Sequence, residues 1–469
     1  MLFTSLEFLL FFFPTVFIVN FLLPHRAKNI FLTLASLFFY AWGEPRFLFV
    51  MLASILFNYL VALPIGRSSH PIVRRGCLIF SIVGNLSLLF VFKYANFATS
   101  LIQRFIPSVY VTRLALPIGI SFFTFQAMSY VIDVYRGTRV QKNPISLALY
   151  ISLFPQLIAG PIVRYTDVER EICERHVTWE DVYVGFSRFL RGFNKKMLLA
   201  NAMAVVADAA FASTSASVLL AWLGAVSYAF QIFFDFSGYS DMAIGLGRLF
   251  GFRFPENFDL PYVSKTVTEF WRRWHMTLGG WFRDYLYFPL GGSRVSSRRL
   301  AFNLFLVWGA TGLWHGADFT FLLWGLLYGT VILFEKIFSI PKKAEENRLV
   351  GGACRVGTLT LVLFGWVLFR AEGLLQAGEY MGTMLGMTGA PVISEATLFY
   401  ASEFFVIFVF CVLCSTPAFL LWKRAVAGAS PRKRACIALC SDTVQLLLFA
   451  VSLSMVATDL HNPFIYFNF

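Results

Sequence analysis

The composition of this chain of 469 residues suits lipid rather than water: 58% of the residues are hydrophobic, 14% are charged and the mean hydropathy is +0.68. Such values exclude an ordinary soluble domain and predict an integral membrane protein. The formal charge of +13 does not indicate nucleic-acid binding, because the lysines and arginines lie mostly in short clusters between apolar segments. That distribution is the one that the positive-inside rule describes for cytoplasmic loops.

Apolar stretches of helical length recur along the chain. Because a helix needs about 20 apolar residues to cross a bilayer, we predict an all-α, polytopic helical bundle with roughly 11 spans plus re-entrant segments. Residues 1–469 are predicted to form a single transmembrane domain. The basic cluster Pro24–Lys28 follows the first apolar stretch, which places the N-terminus outside. The same alternation, continued past the basic run Lys423–Arg434, places the C-terminus outside as well.

The segment Ile145–Val163 breaks this alternation. It is apolar, yet basic residues flank it on both sides, and Pro155, Gly160 and Pro161 interrupt it. A re-entrant segment fits this pattern, since broken backbone at membrane depth is tolerated where protein buries it or where it lines a polar cavity. An ordinary kinked span is the alternative.

Two further stretches carry charges beside apolar sequence. Arg188–Lys196 is amphipathic and is predicted to lie along the inner membrane surface. The long apolar run Val218–Phe250 contains Asp235 and Asp241. A carboxylate at bilayer depth costs roughly 2.5–3.5 kcal/mol on insertion scales, so each needs a partner or water. We interpret both as structural carboxylates that brace neighbouring helices, with direct chemistry as the alternative.

The seven cysteines are scattered along the chain. Cys411 and Cys414 have CxxC spacing, but they lie in an apolar run without a histidine or a second pair. We interpret them as small buried hydrophobic residues rather than a redox or metal site. No metal and no bound cofactor is predicted.

The tryptophan-rich stretch Glu269–Gly316 contains two of the six histidines. Its first part, EFWRRWH, predicts a helix on which Glu269 meets the two arginines while Trp271 and His275 share another face. Arginine forks suit phosphate oxygens. The candidates for holding the phosphates of a nucleotide-like donor are therefore Arg272, Arg273 and Arg283. Topology marking or lipid contact by these arginines is the alternative.

His315 lies in a different setting, because no basic residue is within ten positions of it. Gly312 and Gly316 have the GxxxG spacing that lets membrane helices approach closely. A buried imidazole favours its neutral form and can accept a proton near neutral pH. That property suits a general base for a hydroxyl that attacks an activated acyl group. A packed contact between helices, with a hydrogen-bonded histidine, is the alternative.

Several aromatic and glycine-rich motifs are spread along the chain. In order they are QLIAGPIVRY (Gln156–Tyr165), FFDFSGYSDMAIGLGRLFGFRFPENFDLPY (Phe233–Tyr262), EFWRRWHMTLGGWFRDYLYFPLGGSR (Glu269–Arg294), GLWHGADFTFLLWGLLYG (Gly312–Gly329) and PFIYFNF (Pro463–Phe469). Together they resemble the membrane-bound O-acyltransferases, most closely the bacterial branch typified by alginate O-acetyltransferase and its relatives that act on peptidoglycan, cellulose and teichoic acid. The motifs are shared across that branch, so they indicate the family and not the acceptor.

The resemblance implies a helical bundle around a central tunnel or funnel. It implies that His315, of the LWHG motif, is the catalytic residue and that His275, of the WRRWH motif, is its partner nearer the cytoplasm. Acetyl-CoA is the implied donor, and the acyl group would emerge outside. A separate periplasmic or extracellular partner with a serine-esterase-like domain would complete transfer to a polysaccharide acceptor. The chain itself has no GxSxG motif, which agrees with that division of labour.

The aromatic tail FIYFNF resembles a terminal motif of the same branch and of a small partner in teichoic-acid D-alanylation. If the tail lies outside, Tyr466 is a candidate to carry the acyl group transiently as a phenolic ester. An aromatic anchor at the membrane interface is the alternative.

The function that the resemblance implies is O-acetyl transfer across the bacterial inner membrane, from cytoplasmic acetyl-CoA to a secreted polysaccharide such as alginate or cellulose. The same chemistry on peptidoglycan is one alternative. A non-catalytic lipid or sugar transporter is another, since intramembrane carboxylates and broken helices suit transport. A scaffold that only anchors an extracellular modifying enzyme is the third.

Overall fold

The computed structural model describes residues 1–418, 421, 426, 428, 430–458 and 464–465. Every regular element in these ranges is a helix, which confirms the all-α prediction. The chain forms two compact units, Met1–Phe189 with Ser240–Glu256 and Leu190–Tyr239 with Asn257–Phe469. The single transmembrane domain predicted over residues 1–469 stays a prediction.

The helices follow one another along the whole described chain. In chain order they are α1 Phe13–Leu22, α2 His25–Gly43, α3 Leu48–Arg67, α4 Pro71–Leu89, α5 Ala95–Phe105, α6 Ile120–Arg136, α7 Pro144–Ser152, α8 Phe154–Leu157, α9 Tyr165–Cys173, α10 Trp179–Asn194, α11 Asn201–Ala212, α12 Val218–Leu249, α13 Val267–Arg273, α14 Met276–Phe282, α15 Ser297–His315, α16 Phe319–Ile337, α17 Ile340–Glu346, α18 Arg348–Arg370, α19 Leu374–Met384, α20 Glu395–Glu403, α21 Phe405–Ser415 and α22 Pro431–Ala457. Single π-helical segments, of the kind often found at functional sites, precede α1, α5 and α11 and follow α14.

Six of the described helical segments are long and apolar enough to cross a membrane: α3, α4 with α5, α12, α16, α18 and α22. The pair α20 and α21, bent by 61°, would make a seventh if it is one broken span. This finding confirms several apolar helices of spanning length. The count of roughly 11 spans is not confirmed, since many of the predicted apolar stretches form helices shorter than a bilayer requires.

The segment Ile145–Val163 contains two short helices rather than one. Helix α7 has 9 residues and α8 has 4, and the chain turns between them at Leu153, where φ is −54° and ψ is 112°. Neither helix is long enough to cross a bilayer. The broken backbone therefore favours the re-entrant interpretation over a kinked span.

Helix α12 is the most interior of the long apolar helices. In its most apolar part 72% of the residues are buried by protein, compared with 6% in α22. Most of α12 therefore faces protein, and polar side chains on its buried part must find protein partners. Helix α22, in contrast, exposes most of its side chains as a lipid-facing helix does.

Helices α15 and α16 approach each other closely at glycines. A Cβ atom at Gly312 would overlap the carbonyl oxygen of Phe321, and one at Gly325 would overlap the carbonyl oxygen of Trp308. A Cβ atom at Gly316 would overlap the ring of Phe321. The close approach predicted from the GxxxG spacing is confirmed, with Gly325 as the partner on the second helix.

The variant Gly312→Ala should therefore lower the apparent melting temperature of the detergent-solubilised protein. Overpacking of this kind costs roughly 1–3 kcal/mol. Gly357→Ala is the matched control, because Gly357 also lies inside a long helix and a Cβ there meets nothing within 4 Å. An unchanged melting temperature for Gly312→Ala would contradict the close approach.

Candidate active site

Helix α13, which leads to His275, begins at a buried carboxylate. Glu335, on α16, accepts the backbone N–H of Val267 at 2.7 Å and that of Thr268 at 2.8 Å. The Oγ1 atom of Thr266 accepts the N–H of Glu269 at 3.2 Å. The first N–H groups of a helix have no partner within the helix, and negative charge is favourable there. Glu335 therefore fixes where this short helix starts.

Helix α13 ends at Arg273, and His275 lies beyond it. His275 has φ 44° and ψ 52°, in the left-handed region that residues other than glycine seldom occupy. The prediction that Trp271 and His275 share one helical face is therefore wrong, because the chain turns before the histidine. Such a conformation is unfavourable and tends to occur where surrounding contacts hold a functional residue in place.

The contacts that hold His275 converge on one residue, Asn257. Oδ1 of Asn257 lies 3.1 Å from Nδ1 of His275, and it accepts the Oγ1–H of Thr277 at 2.8 Å and the backbone N–H of Thr277 at 3.3 Å. The N–H of Met276 donates to the backbone oxygen of Asn257 at 2.9 Å. Because a carbonyl oxygen can only accept, Nδ1 of His275 is the protonated nitrogen. The lone pair of the neutral ring is then on Nε2.

His275 is neutral because it is buried. It lies in the turn between α13 and α14, outside the six spanning segments, and it is 2% exposed. Burial lowers the pKa of His275 to about 3. The edge of its ring meets Phe236, with centroids 4.7 Å apart. This neutral tautomer can accept a hydrogen bond through Nε2 and has no proton there to donate.

His315 is the last residue of α15 and lies within a shell of aromatic rings. Its side chain is 3% exposed. Three rings contact it edge-on, Trp314 at 4.9 Å, Trp324 at 5.1 Å and Phe369 at 5.3 Å between centroids. They come from α15, α16 and α18. Surroundings of this kind exclude water from the imidazole.

The two histidines share a neighbour in the second unit. The ring of Trp314 contacts His315, and it also contacts His275 with centroids 6.0 Å apart. The sequence separates these histidines by the whole of α14 and α15. The fold therefore brings together the two residues that the motifs single out.

The three candidate arginines have different partners. Nε of Arg273 donates to Glu269 at 3.0 Å, and its Nη1 donates to the side chain of Asp259 at 2.9 Å. Arg283 pairs with the adjacent Asp284 at 2.7 Å. The contact predicted between Glu269 and Arg273 is thus confirmed. Arg272 is exposed at the C-terminal end of α13, which leaves it the best placed of the three to meet an anionic ligand.

Asp241, in the first unit, has the partner that its position requires. Its Oδ1 accepts from Nε of Arg188 at 2.6 Å, and the same guanidinium donates to both oxygens of Glu256, at 2.8 and 2.6 Å. A planar guanidinium can satisfy two carboxylates in this way. The structural role predicted for Asp241 fits this arrangement.

Asp235, in the second unit, pairs with a lysine that the sequence placed elsewhere. Nζ of Lys196 lies 2.5 Å from Oδ1 of Asp235, and both side chains are 2% exposed. The prediction that Arg188–Lys196 lies along the membrane surface is wrong for Lys196. It belongs to the π-helical segment Lys195–Ala200, where the altered turn points it into protein.

Several residues of the site were missed from the sequence. Asn257 lies inside the motif ENFDLPY, where a single polar amide among aromatic residues was the available signal. Glu335 was a carboxylate at the end of an otherwise apolar helix, and Lys196 immediately preceded an apolar run. Their partners are far away in the sequence, so no local pattern connected them. Tyr466, the candidate acyl relay, lies outside the described residues.

Comparison with known proteins agrees with this site. The membrane-bound O-acyltransferase family profile matches residues 36–340. A Pseudomonas syringae pv. tomato protein described as a probable alginate O-acetylase is 42% identical over 82% of this chain and 75% of its own length. A Pseudomonas putida protein of the same description is 38% identical over 100% of both chains. The peptidoglycan O-acetyltransferase of Helicobacter pylori is 33% identical over 100% of this chain and 98% of its own. The chain is therefore a member of the membrane-bound O-acyltransferase family, a multi-pass membrane acyltransferase.

Proposed function

We propose that this protein transfers an acetyl group from cytoplasmic acetyl-CoA across the bacterial inner membrane, for O-acetylation of a secreted polysaccharide of the alginate or cellulose kind. The observation that carries the proposal is the buried His315 in its aromatic shell, linked through Trp314 to His275. The acceptor class is taken from the relatives described as alginate O-acetylases, including the Pseudomonas putida protein that aligns over 100% of both chains.

His315 acts as the general base in this proposal. Its neutral imidazole takes the proton of the attacking hydroxyl, and the oxygen forms a bond to the carbonyl carbon of the thioester. The carbon–sulfur bond then breaks, and the leaving thiolate recovers the proton from the imidazolium. The products are an O-acetyl ester and free coenzyme A. Exclusion of water by the aromatic shell protects the thioester from hydrolysis.

His275 orients the donor. A partner histidine could act in two ways, by orienting the donor or by stabilising the oxyanion. An oxyanion needs a hydrogen-bond donor, and the tautomer held by Asn257 has its proton on Nδ1. Nε2 can instead accept a hydrogen bond from an N–H or O–H group of the donor. Arg272, exposed at the end of α13, is the arginine that we assign to the donor phosphates.

The proposal also includes a partner protein and a polysaccharide acceptor. A separate periplasmic or extracellular serine-esterase-like protein would receive the acetyl group and pass it to the polysaccharide. Peptidoglycan is the second candidate acceptor, favoured by the full-length similarity to the Helicobacter pylori protein. Acetylation assays on membranes supplied in parallel with alginate, cellulose and peptidoglycan would distinguish them. Membership of an acyltransferase family argues against the non-catalytic transporter and the passive scaffold.

Replacing the base should abolish transfer without unfolding the protein. We expect His315→Gln to lower the rate of acetyl transfer from labelled acetyl-CoA by about 10²–10⁴-fold, the usual contribution of a general base. His176→Gln, at an exposed histidine of the first unit, is the control and should retain activity. An active and correctly inserted His315→Gln protein would remove the central claim.

Replacing the amide of Asn257 should change how the rate of acetyl transfer depends on pH. Asn257→Asp keeps an acceptor oxygen but adds a negative charge beside Nδ1 of His275, which raises the pKa of the imidazole above its present value of about 3. The histidine of the variant then gains a proton as the pH falls through the raised pKa. Transfer by the variant should therefore decline on the acidic side, where His275 of the original protein stays neutral.

Rate profiles from pH 5 to 8 measure this difference. Asn257→Leu is the matched variant, because it removes the acceptor without adding charge. Loss of the orientation of His275 should reduce transfer by roughly 10²-fold at every pH. Identical pH profiles for Asn257→Asp and the original protein would contradict the assigned tautomer.

The phenol of Tyr466 is the proposed carrier of the acetyl group on the outer side. Tyr466→Phe keeps the aromatic ring and removes the nucleophilic oxygen, so acceptor acetylation should be lost. Full activity in this variant would show that the residue is an aromatic anchor.

A further inference from the structure

Lys196 and Asp235 contact other groups of the protein as well as each other. Removing both ions from water is expensive, and their attraction offsets that cost only when the remaining lone pairs and protons are also satisfied. Each ion of this pair has a further contact, and both contacts are made with the same short segment near the end of the chain. That segment, Phe464–Ile465, is called the tail segment below.

The tail segment meets both partners directly. The backbone N–H of Ile465 donates to Oδ2 of Asp235 at 2.9 Å. Nζ of Lys196 lies over the ring of Phe464, 4.7 Å from its centroid. A charged hydrogen bond and a desolvated cation–π contact are both stronger than their exposed counterparts. The carboxylate thus holds the backbone of the tail segment and the ammonium holds its aromatic side chain.

The tail segment is buried as deeply as the pair. Phe464 is 1% exposed and Ile465 is 8% exposed. The edge of the Phe464 ring meets the ring of Tyr239, one turn along α12 from Asp235, with centroids 4.9 Å apart. Ile465 belongs to the same hydrophobic cluster as Trp324 and Phe369. Those two rings contact His315, so Ile465 shares a hydrophobic cluster with two residues of the shell around the candidate base.

Two features of the backbone around the pair let Lys196 reach Asp235. A Cβ atom at Gly238 would lie 2.8 Å from the carbonyl oxygen of Gly192 and 3.3 Å from the backbone nitrogen of Lys196. The glycine therefore lets α12 come close to the segment that carries Lys196. The π-helical turn at Lys195–Ala200 supplies the second adjustment. Close helix approach and an altered turn together bring the ammonium to the carboxylate inside the protein.

We propose that Lys196 and Asp235 are positioning residues, whose buried ion pair is the docking site for this chain's own tail segment in the hydrophobic cluster that also holds Trp324 and Phe369. The pair is kept as charges because a backbone N–H and an aromatic ring must be held at a defined place. A brace between helices alone would need neither contact, and apolar residues of similar volume often serve a brace as well. The link to acetyl transfer rests on the proposed function, whereas the docking itself does not.

The exposure of residue 465 to a thiol reagent measures docking without any assay of activity. The full chain carries Ile465→Cys, with its seven native cysteines replaced by alanine. The cysteine keeps the backbone N–H that Asp235 accepts. Labelling by maleimide in membranes should be slow in this protein. The added double substitution Lys196→Met with Asp235→Leu removes both charges at similar volume, and should speed labelling by about tenfold or more because the segment opens locally.

The matched control removes another ion pair from the same helix. Arg188→Met with Asp241→Leu takes away a carboxylate of α12 that pairs with Arg188. Labelling of Cys at position 465 should stay slow in that protein. Phe464→Leu, which removes the ring beneath Lys196 and leaves both charges in place, should also speed labelling. It tests the docking even if the double variant fails to insert.

Slow labelling in both the Lys196→Met/Asp235→Leu and Phe464→Leu proteins would overturn the docking. Fast labelling in the Arg188→Met/Asp241→Leu control would overturn it as well, because release of the tail segment would then follow loss of any ion pair. Acetyl transfer measured on the same membranes tests the link to function. We expect acetyl transfer to fall in the variants whose residue 465 is labelled faster. Full transfer in a variant with a released tail segment would overturn that link, while the docking would stand. Absence of transfer in the parent protein would count against the proposed function alone.

Discussion

The second unit contains a buried ion pair between Lys196 and Asp235, and the residues around it must be placed to satisfy both charges. Two ions inside an apolar core are stable only when everything around them is placed to satisfy them. A side chain at Gly238 would meet the backbone of the segment that carries Lys196, and that segment contains the π-helical turn Lys195–Ala200. The end of the chain supplies the remaining hydrogen bond and ring. A hydrophobic contact would tolerate several arrangements, whereas this pair tolerates few.

Other buried polar side chains in the second unit act in the same way, each on backbone groups far away in the sequence. Glu335 fixes the start of α13 by accepting two N–H groups. Asn257 fixes the chain just after that helix and, with it, the tautomer of His275. Glu335 thus fixes the start of the short helix α13, and Asn257 fixes the turn at its end. His275 adopts its left-handed conformation in that turn. The aromatic shell of His315 has the complementary task of excluding water.

The sequence was most informative about features that one residue type or one short motif is sufficient to predict. Charges inside the apolar run of α12 indicated that Asp235 and Asp241 need partners, and the glycine spacing of Gly312 and Gly316 indicated a close helix approach. Local patterns were less informative about turns. The helical period placed His275 on the same face as Trp271, because nothing in EFWRRWH shows that the helix stops at Arg273. The amphipathic pattern likewise placed Lys196 on a surface, although it is a partner of Asp235.

By itself, the sequence determined that this is an all-helical membrane protein of an acyltransferase family, and it singled out His315 and His275. Composition and motifs are sufficient for these conclusions because hydropathy and residue identity are properties of the chain alone. Only the tertiary structure decided which nitrogen of His275 carries the proton, that Trp314 contacts both histidines, and that Lys196 and Asp235 meet the tail segment. The physical reason is that the cost of a buried charge or hydrogen-bonding group is met by partners that folding brings from distant positions, and no local sequence pattern specifies them.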